Sequence, residues 1–264
     1  MRKPLGPHDG VLAFAHRGGA YHPEIEGLEN TLAAFRHAVG LGYTHLETDV
    51  HVTSDGVLLA FHDRVLDRVT DSVGAIADLT LAEVRAARIG GRHQIPTMAE
   101  LFEEFPEATF NIDLKAPAAA AALADFLARR QAWDRVMVGS FGPRTLRRFR
   151  KLTAGRVRTS GHPVETVLFR LLPSGRLADL LTRRQVCALQ IPHRRRIAGR
   201  DVVIATPGLV RRAHAVGVQV HVWTIDAPEE MNELIDLGVD GLMTDRTDLL
   251  KDVLVERGLW RERA

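Results

Sequence analysis

Short runs of aliphatic and β-branched residues alternate with longer segments of helical period along the whole chain. Strand-like runs fall at 11 to 16, 45 to 52, 57 to 61, 109 to 114, 135 to 139, 156 to 160, 186 to 191, 218 to 223 and 240 to 243. The intervening segments predict helices at 30 to 40, 97 to 105, 117 to 131, 143 to 153, 163 to 183 with a break at Pro173, 206 to 216, 228 to 237 and 247 to 257. Such alternation is the pattern of a parallel sheet with crossover helices. One run breaks the scheme, because only Thr53 to Gly56 separate 57 to 61 from the strand before it, too few residues for a parallel crossover. That run must return antiparallel, and Asp55-Gly56 suits the two positive φ angles of a type I′ turn. Removing it leaves eight strand and helix pairs, which predict an α/β (β/α)₈ TIM barrel, with an open α/β sheet as the alternative.

Residues 1 to 264 are expected to form a single barrel domain, with a small insertion at about 64 to 96 after the hairpin that extends the second strand. No internal repeat or low-complexity tract interrupts the pattern. The expected turn pairs positions summing to 111, which sets Asp49 opposite His62.

Strand parity adds chemistry. At 45 to 51 the odd positions are His45, Glu47, Asp49 and His51; at 111 to 115 they are Asn111, Asp113 and Lys115; at 219 to 223 they are Gln219, His221 and Trp223. The even positions are almost entirely aliphatic. A half-solvated antiparallel sheet also alternates, but strands covered by helices normally read as continuous apolar runs. Inward polar residues at the C-terminal ends of barrel strands mark active sites.

Composition changes little. Hydrophobic residues at 45% and charged residues at 26% are ordinary for a globular protein, and 35 basic against 33 acidic residues leave a net charge of +2, weak grounds for nucleic-acid binding. The single Cys187 excludes an internal disulfide and reads as an inert buried thiol. No apolar run is long enough to span a membrane, and Pro7 to Gly10 interrupt the basic N-terminus before any signal-peptide core forms, so a cytoplasmic location is expected.

Glu47, Asp49 and Asp113 are expected to converge, and like charges at close range take up protons unless a cation separates them. Oxygen donors favour Mg²⁺ or Ca²⁺ over zinc; pairing with Arg or Lys is the plainer reading. His16 and Arg17 end the first strand, before Gly18-Gly19. The arginine suits bidentate phosphate contact, and His16 with His62 forms a candidate acid and base pair. Glu29 and Asn30 open a helix and serve either as its cap or as part of a site. The basic RTLRRFRK at 144 to 151 reads as a solvated helix face with Leu146 and Phe149 buried. HRRR at 193 to 196 follows a strand end, where it can approach an anionic head group; with the apolar VLFRLL at 167 to 172 it allows a lysophospholipid substrate and a weak lipid-surface contact.

The motifs HRGG at 16 to 19, ENTLAAF at 29 to 35, ETDVHVTSDG at 47 to 56, FHD at 61 to 63, NIDLK at 111 to 115, VWTID at 222 to 226 and GVDGLMTDR at 238 to 246 together resemble the bacterial glycerophosphodiester phosphodiesterases, barrels similar to phosphatidylinositol-specific phospholipase C. The resemblance implies metal-dependent hydrolysis of glycerophosphodiesters, a small-molecule substrate, to sn-glycerol 3-phosphate and an alcohol. It implies Glu47, Asp49 and Asp113 as ligands of one divalent cation, His16 and His62 as general base and acid, Arg17 and Lys115 on the phosphate, Trp223 on the glycerol side, and Glu29 and Asn30 as support. It leaves open whether the glycerol 2-hydroxyl or water attacks first. Two other readings remain: phospholipase D-type hydrolysis of lysophospholipids on the same barrel, and a non-catalytic phosphodiester-binding barrel. Three positions depart from the family pattern: Asp113 stands where glutamate is usual, Leu28 where proline is common, and Asp226 where asparagine is frequent.

Overall fold

The computed structural model describes residues 10–260; the N-terminal reading at Pro7 to Asp9 lies outside them. Eight strands form the parallel sheet: β1 (Leu12–Ala15), β2 (His45–Val52), β4 (Thr109–Leu114), β5 (Val136–Gly139), β6 (Arg158–Thr159), β7 (Ala188–Pro192), β10 (Gln219–Trp223) and β11 (Gly241–Thr244). Their order is β6-β5-β4-β2-β1-β11-β10-β7, and a parallel bridge between Ser160 and Ala188 joins the two ends. The sheet is therefore a barrel, and the open-sheet alternative is excluded.

Each predicted helix is present, as α1 (Leu32–Gly40), α3 (Met98–Glu104), α4 (Ala119–Arg130), α5 (Pro143–Leu152), α6 (Pro163–Leu171), α7 (Gly175–Leu181), α8 (Pro207–His214), α9 (Pro228–Leu237) and α10 (Thr247–Glu256), the break at Pro173 separating α6 from α7. Leu46, Val50, Ile112 and Val222 are buried between sheet and helices, which accounts for the aliphatic even positions. Phe14, Met137 and Ala188 fill the barrel floor, where His45 and His221 pack on the Phe14 ring. In α5, Leu146 and Phe149 are buried as expected; Arg150 is buried as well, paired with Glu165 at 2.7 Å. Cys187 is free and only partly buried, more open than the inert-thiol reading expected.

The return strand β3 (Leu58–Ala60) pairs antiparallel with β2, but in a different register from the expected one. Val50 lies opposite Ala60 and Val52 opposite Leu58, so Phe61 rather than His62 faces Asp49, its N–H donating to the Asp49 carbonyl at 2.9 Å. The turn is a three-residue loop with one left-handed position, Gly56 (φ 86°), in place of the two that a type I′ turn needs. Asp55 is held instead by the Thr53 hydroxyl and by the Leu81 N–H at the start of α2 (Leu81–Val84). Residues 64 to 96 form the expected insertion, and Leu66, Ile76, Val84 and Ile89 make a second core with Leu28, Leu59 and Phe61. Leu28, the departure from the family's proline, is thus part of that core.

A second hairpin was not legible in the sequence. β8 (Arg194–Ile197) and β9 (Arg200–Val203) form a two-stranded sheet of their own between β7 and α8. Its turn, Ala198-Gly199, takes the two positive φ angles (50° and 78°) that were expected at Asp55-Gly56.

Candidate active site

A cavity of about 370 Å³ opens at the C-terminal ends of the strands, and the polar odd positions supply its floor: Glu47 and Asp49 from β2, Asn111 and Asp113 from β4, Trp223 from β10. His16, Arg17, His62 and Lys115 line it too. Eight of the ten residues singled out by sequence therefore meet in one cavity; Glu29 and Asn30 stand behind it.

The loop after β1 explains the placement of His16 and Arg17. Gly18 (φ 88°) lies so close to α1 that a Cβ there would come within 2.7 Å of the Ala34 Cβ, and a Cβ on Gly19 (φ 87°) would meet Thr247 at 2.6 Å. The close backbone approach that these glycines permit is thus to α1 and α10, not to a ligand, and it presses the His16-Arg17 turn onto the barrel rim. Arg17 itself is left-handed (φ 49°). Its backbone N–H donates to Glu47 Oε2 (3.1 Å), while its guanidinium lies 3.2 Å from Asp49 Oδ2 and 3.3 Å from Glu29 Oε1. Thr31, not Asn30, caps α1, its hydroxyl accepting from the Ala34 N–H. Asn30 is buried and donates to Asp49 Oδ2 (3.3 Å) while accepting from the Thr48 hydroxyl (2.7 Å). Asn30 is thus not the cap of α1, and its side chain is engaged with β2 instead.

Each catalytic candidate histidine has a carboxylate on the same ring atom. His16 Nδ1 donates to Asp245 at 2.9 Å, and His62 Nδ1 to Asp63 at 2.6 Å. Both imidazoles are thereby fixed with Nε2 as the atom available for proton exchange. Burial pulls the His16 pKa down, but Glu47 and Asp245 together outweigh it and leave the ring more basic than a free histidine. Arg68 of the insertion clamps Asp63 (2.5 Å) and Glu29 (2.6 Å), and the His51 Nε2–H donates to the His62 carbonyl (3.0 Å). Asp226 accepts from the Thr244 hydroxyl and from the Asp245 and Arg246 N–H groups, so the residue that departs from asparagine braces the loop carrying Asp245. Asp245, Arg68 and Asp226 had no assigned role from sequence. A carboxylate following a buried strand, as in MTD at 243 to 245, is the signal that finds the first.

The carboxylates carry more negative charge than the adjacent cations balance. Burial, then the neighbouring Asp49, raise the pKa of Glu47 despite His16 and Arg17. Burial likewise raises Asp113, with Lys115 opposing. Asp49 ends below its ordinary range, because Lys115 and Arg17 together overcome its burial. The Lys115 ammonium stands between Asp49 (2.9 Å) and Asp113 (2.8 Å). Among the described residues no three acidic, histidine or cysteine side chains are gathered as a ready metal cage. The donors are nevertheless all oxygens in a site short of positive charge, which fits a hard divalent cation on Glu47 and Asp49.

Fold and site together define a (β/α)₈-barrel hydrolase built around a cluster of histidine, carboxylate, arginine and lysine at the C-terminal ends of the strands. Residues 16–249 match the model of the glycerophosphoryl diester phosphodiesterase family, and the chain belongs to that family of phosphoric diester hydrolases. It is 40% identical over 256 residues to the probable glycerophosphodiester phosphodiesterase 2 of Mycobacterium tuberculosis, covering 96% of this chain and 94% of the relative. It is 29% identical to the human lysophospholipase D GDPD1, covering 91% of this chain and 85% of that one. Among solved structures, an Oleispira antarctica phosphodiesterase in complex with the product sn-glycerol-3-phosphate superposes with a TM-score of 0.73 at 23% identity, covering 93% and 97% of the two chains.

Proposed function

We propose that the protein hydrolyses glycerophosphodiesters to sn-glycerol 3-phosphate and an alcohol, with one divalent cation, Mg²⁺ or Ca²⁺, held by Glu47, Asp49 and Asp113. The observation that carries this reading is the pair of carboxylate-oriented imidazoles, His16 on Asp245 and His62 on Asp63, in one cavity with Arg17 and Lys115. Bound there, a hard cation supplies Lewis-acid polarisation of the phosphoryl oxygens. Arg17 and Lys115 bind the remaining phosphate oxygens and offset the charge that develops on them. His16, made more basic by Glu47 and Asp245, takes at Nε2 the proton of the attacking oxygen, that of water or of the glycerol 2-hydroxyl; in the second case water then opens the cyclic phosphate to give glycerol 3-phosphate. His62 delivers a proton to the leaving alcohol from the same atom. Trp223, edge-on to Phe141 with centroids 5.8 Å apart, forms the apolar wall against which the glycerol carbons pack. Glu29 and Asn30 hold Arg17 and Asp49 in place.

A second reading, phospholipase D-type hydrolysis of lysophospholipids, is favoured by one observation. Beyond Trp223 the cavity runs on between α6 and the β8–β9 hairpin, past Phe141, Val167, Ile197 and Ile204. This is more apolar length than a glycerol needs.

Release of glycerol 3-phosphate from glycerophosphocholine tests the first reading. Wild type turns over, and His62→Ala loses about 10²-fold or more with the fold intact; a near-normal rate in that variant refutes the acid role, and no turnover in the wild type refutes the activity. Choline release from lysophosphatidylcholine at a higher kcat/KM than from glycerophosphocholine would establish the second reading in its place.

A further inference from the structure

The mouth of the cavity has features that turnover of a small soluble diester does not require. Three apolar side chains at its edge stand open to solvent: Phe141 is 57% exposed, Val167 50% and Ile197 49%. They come from three separate elements, the loop before α5, α6, and the β8–β9 hairpin. Val167 also belongs to a stripe on α6, with Val164 and Leu171 three and four residues to either side, that is exposed along the helix. Among the described residues, six of the thirteen exposed large apolar side chains lie on α6 and α7, so the exposure is concentrated on these two consecutive helices, of which α6 supplies Val167 to the cavity.

The same rim is basic. Register in the hairpin sets Ile197 opposite Arg200 and Arg195 opposite Val202. Cross-strand neighbours share a face, so Arg195, Ile197, Arg200 and Val202 lie on one side of the ribbon, and Arg195 and Ile197 place that side at the cavity. Arg170 of α6 lines the opposite wall. Arg194, on the other side, lies 3.7 Å from Glu233, and Asp201 stands across from Arg196. Among the described residues Arg195 and Arg200 have no carboxylate partner. The hairpin pairs with no barrel strand and ends in the tight Ala198-Gly199 turn, which projects Ile197 beside the arginines.

Exposed apolar side chains beside Arg195 and Arg200 match the interface of an anionic lipid layer, where the aliphatic groups enter the acyl boundary and the guanidinium groups meet head-group phosphates. We propose that the β8–β9 hairpin, with Phe141 and the exposed stripe of α6, docks this protein on anionic lipid surfaces with the cavity mouth facing the lipid. The proposal rests on the phosphodiesterase reading only for the identity of the cavity. Docking is therefore read without turnover.

The test is co-sedimentation of the full chain with vesicles of phosphatidylcholine alone or mixed equally with phosphatidylglycerol. Wild type pellets with the mixed vesicles and stays in solution with the neutral ones, and the binding weakens as salt rises. Arg195→Glu/Arg200→Glu lowers partitioning about tenfold or more, and Ile197→Ser lowers it while leaving the arginines in place. Because the hairpin is outside the barrel sheet, both variants keep the wild-type circular dichroism and melting temperature. Equal partitioning to both vesicle types, no partitioning, or undiminished binding by the charge-reversed variant overturns the proposal. So does binding of a single-stranded oligonucleotide with an affinity that matches the mixed vesicles and is untouched, like vesicle binding, by Ile197→Ser; that result assigns the arginines to a general polyanion patch. Concentration-dependent dimerisation that Ile197→Ser abolishes, with no vesicle binding, places a second copy of the chain on the face and overturns it equally.

Discussion

The orientation of the two cavity histidines depends on carboxylates behind them, Asp245 and Asp63, and the first of these is held in turn by Asp226. Asp226 reaches three donors through a single oxygen, Oδ1, which an asparagine also possesses. Asp226→Asn is therefore expected to keep near wild-type turnover, whereas Asp226→Ala frees the loop that carries Asp245 and lowers kcat about tenfold or more with KM little changed. Steady-state kinetics of the two variants check this, and equal losses in both would show that the charge matters rather than the hydrogen bonds. At this scale the sequence revealed one half of each pair. Glu47, Asp49, Asp113 and Lys115 fall on runs whose parity can be counted, and His16 and Arg17 were found from their place at the end of the first strand. Asp245 lies 229 residues from its partner His16, and only barrel closure between β1 and β11 brings them together.

Elements were more legible than their junctions. Apolar periodicity marks a strand or helix over many residues, so every predicted strand and helix is present. Turn geometry rests on one or two φ angles, so Asp55-Gly56 suggested one loop and the chain adopts another, moving the register by one residue. The β8–β9 hairpin escaped notice because RRRI has no apolar alternation and its turn begins with alanine. The glycine pair after β1 offers a test at this scale. Gly18→Ala adds a Cβ 2.7 Å from Ala34 at a left-handed backbone position, and is expected to destabilise the fold by about 2 kcal/mol or more. Denaturant unfolding measures it, and an unchanged midpoint would show that α1 can shift away from the rim.

Across the molecule, burial of ionisable groups links stability to pH. His45 and His221 sit on the barrel floor with pKa values lowered to about 4, by burial first and then, for His45, by Arg158. Their unfolded values lie near 6.5, so between about 6.5 and 4 the unfolded chain binds more protons and stability falls as pH falls, by about 1.4 kcal/mol per pH unit for each histidine. Glu47, raised in the folded state, binds its proton preferentially there and offsets part of the loss as pH drops. Melting temperature should therefore decline between pH 6.5 and 4.5, and a His45→Gln/His221→Gln variant should show a flatter profile; a profile as steep as wild type would assign the loss to other groups.

The central claim is that this barrel places two oriented histidines beside oxygen donors for a divalent cation. The most direct measurement is glycerol 3-phosphate release from glycerophosphocholine by protein stripped with EDTA and then titrated with Mg²⁺ or Ca²⁺. The account predicts loss of turnover on chelation, recovery with one of the two ions, and no recovery in Glu47→Gln. Turnover indifferent to the chelator would contradict it.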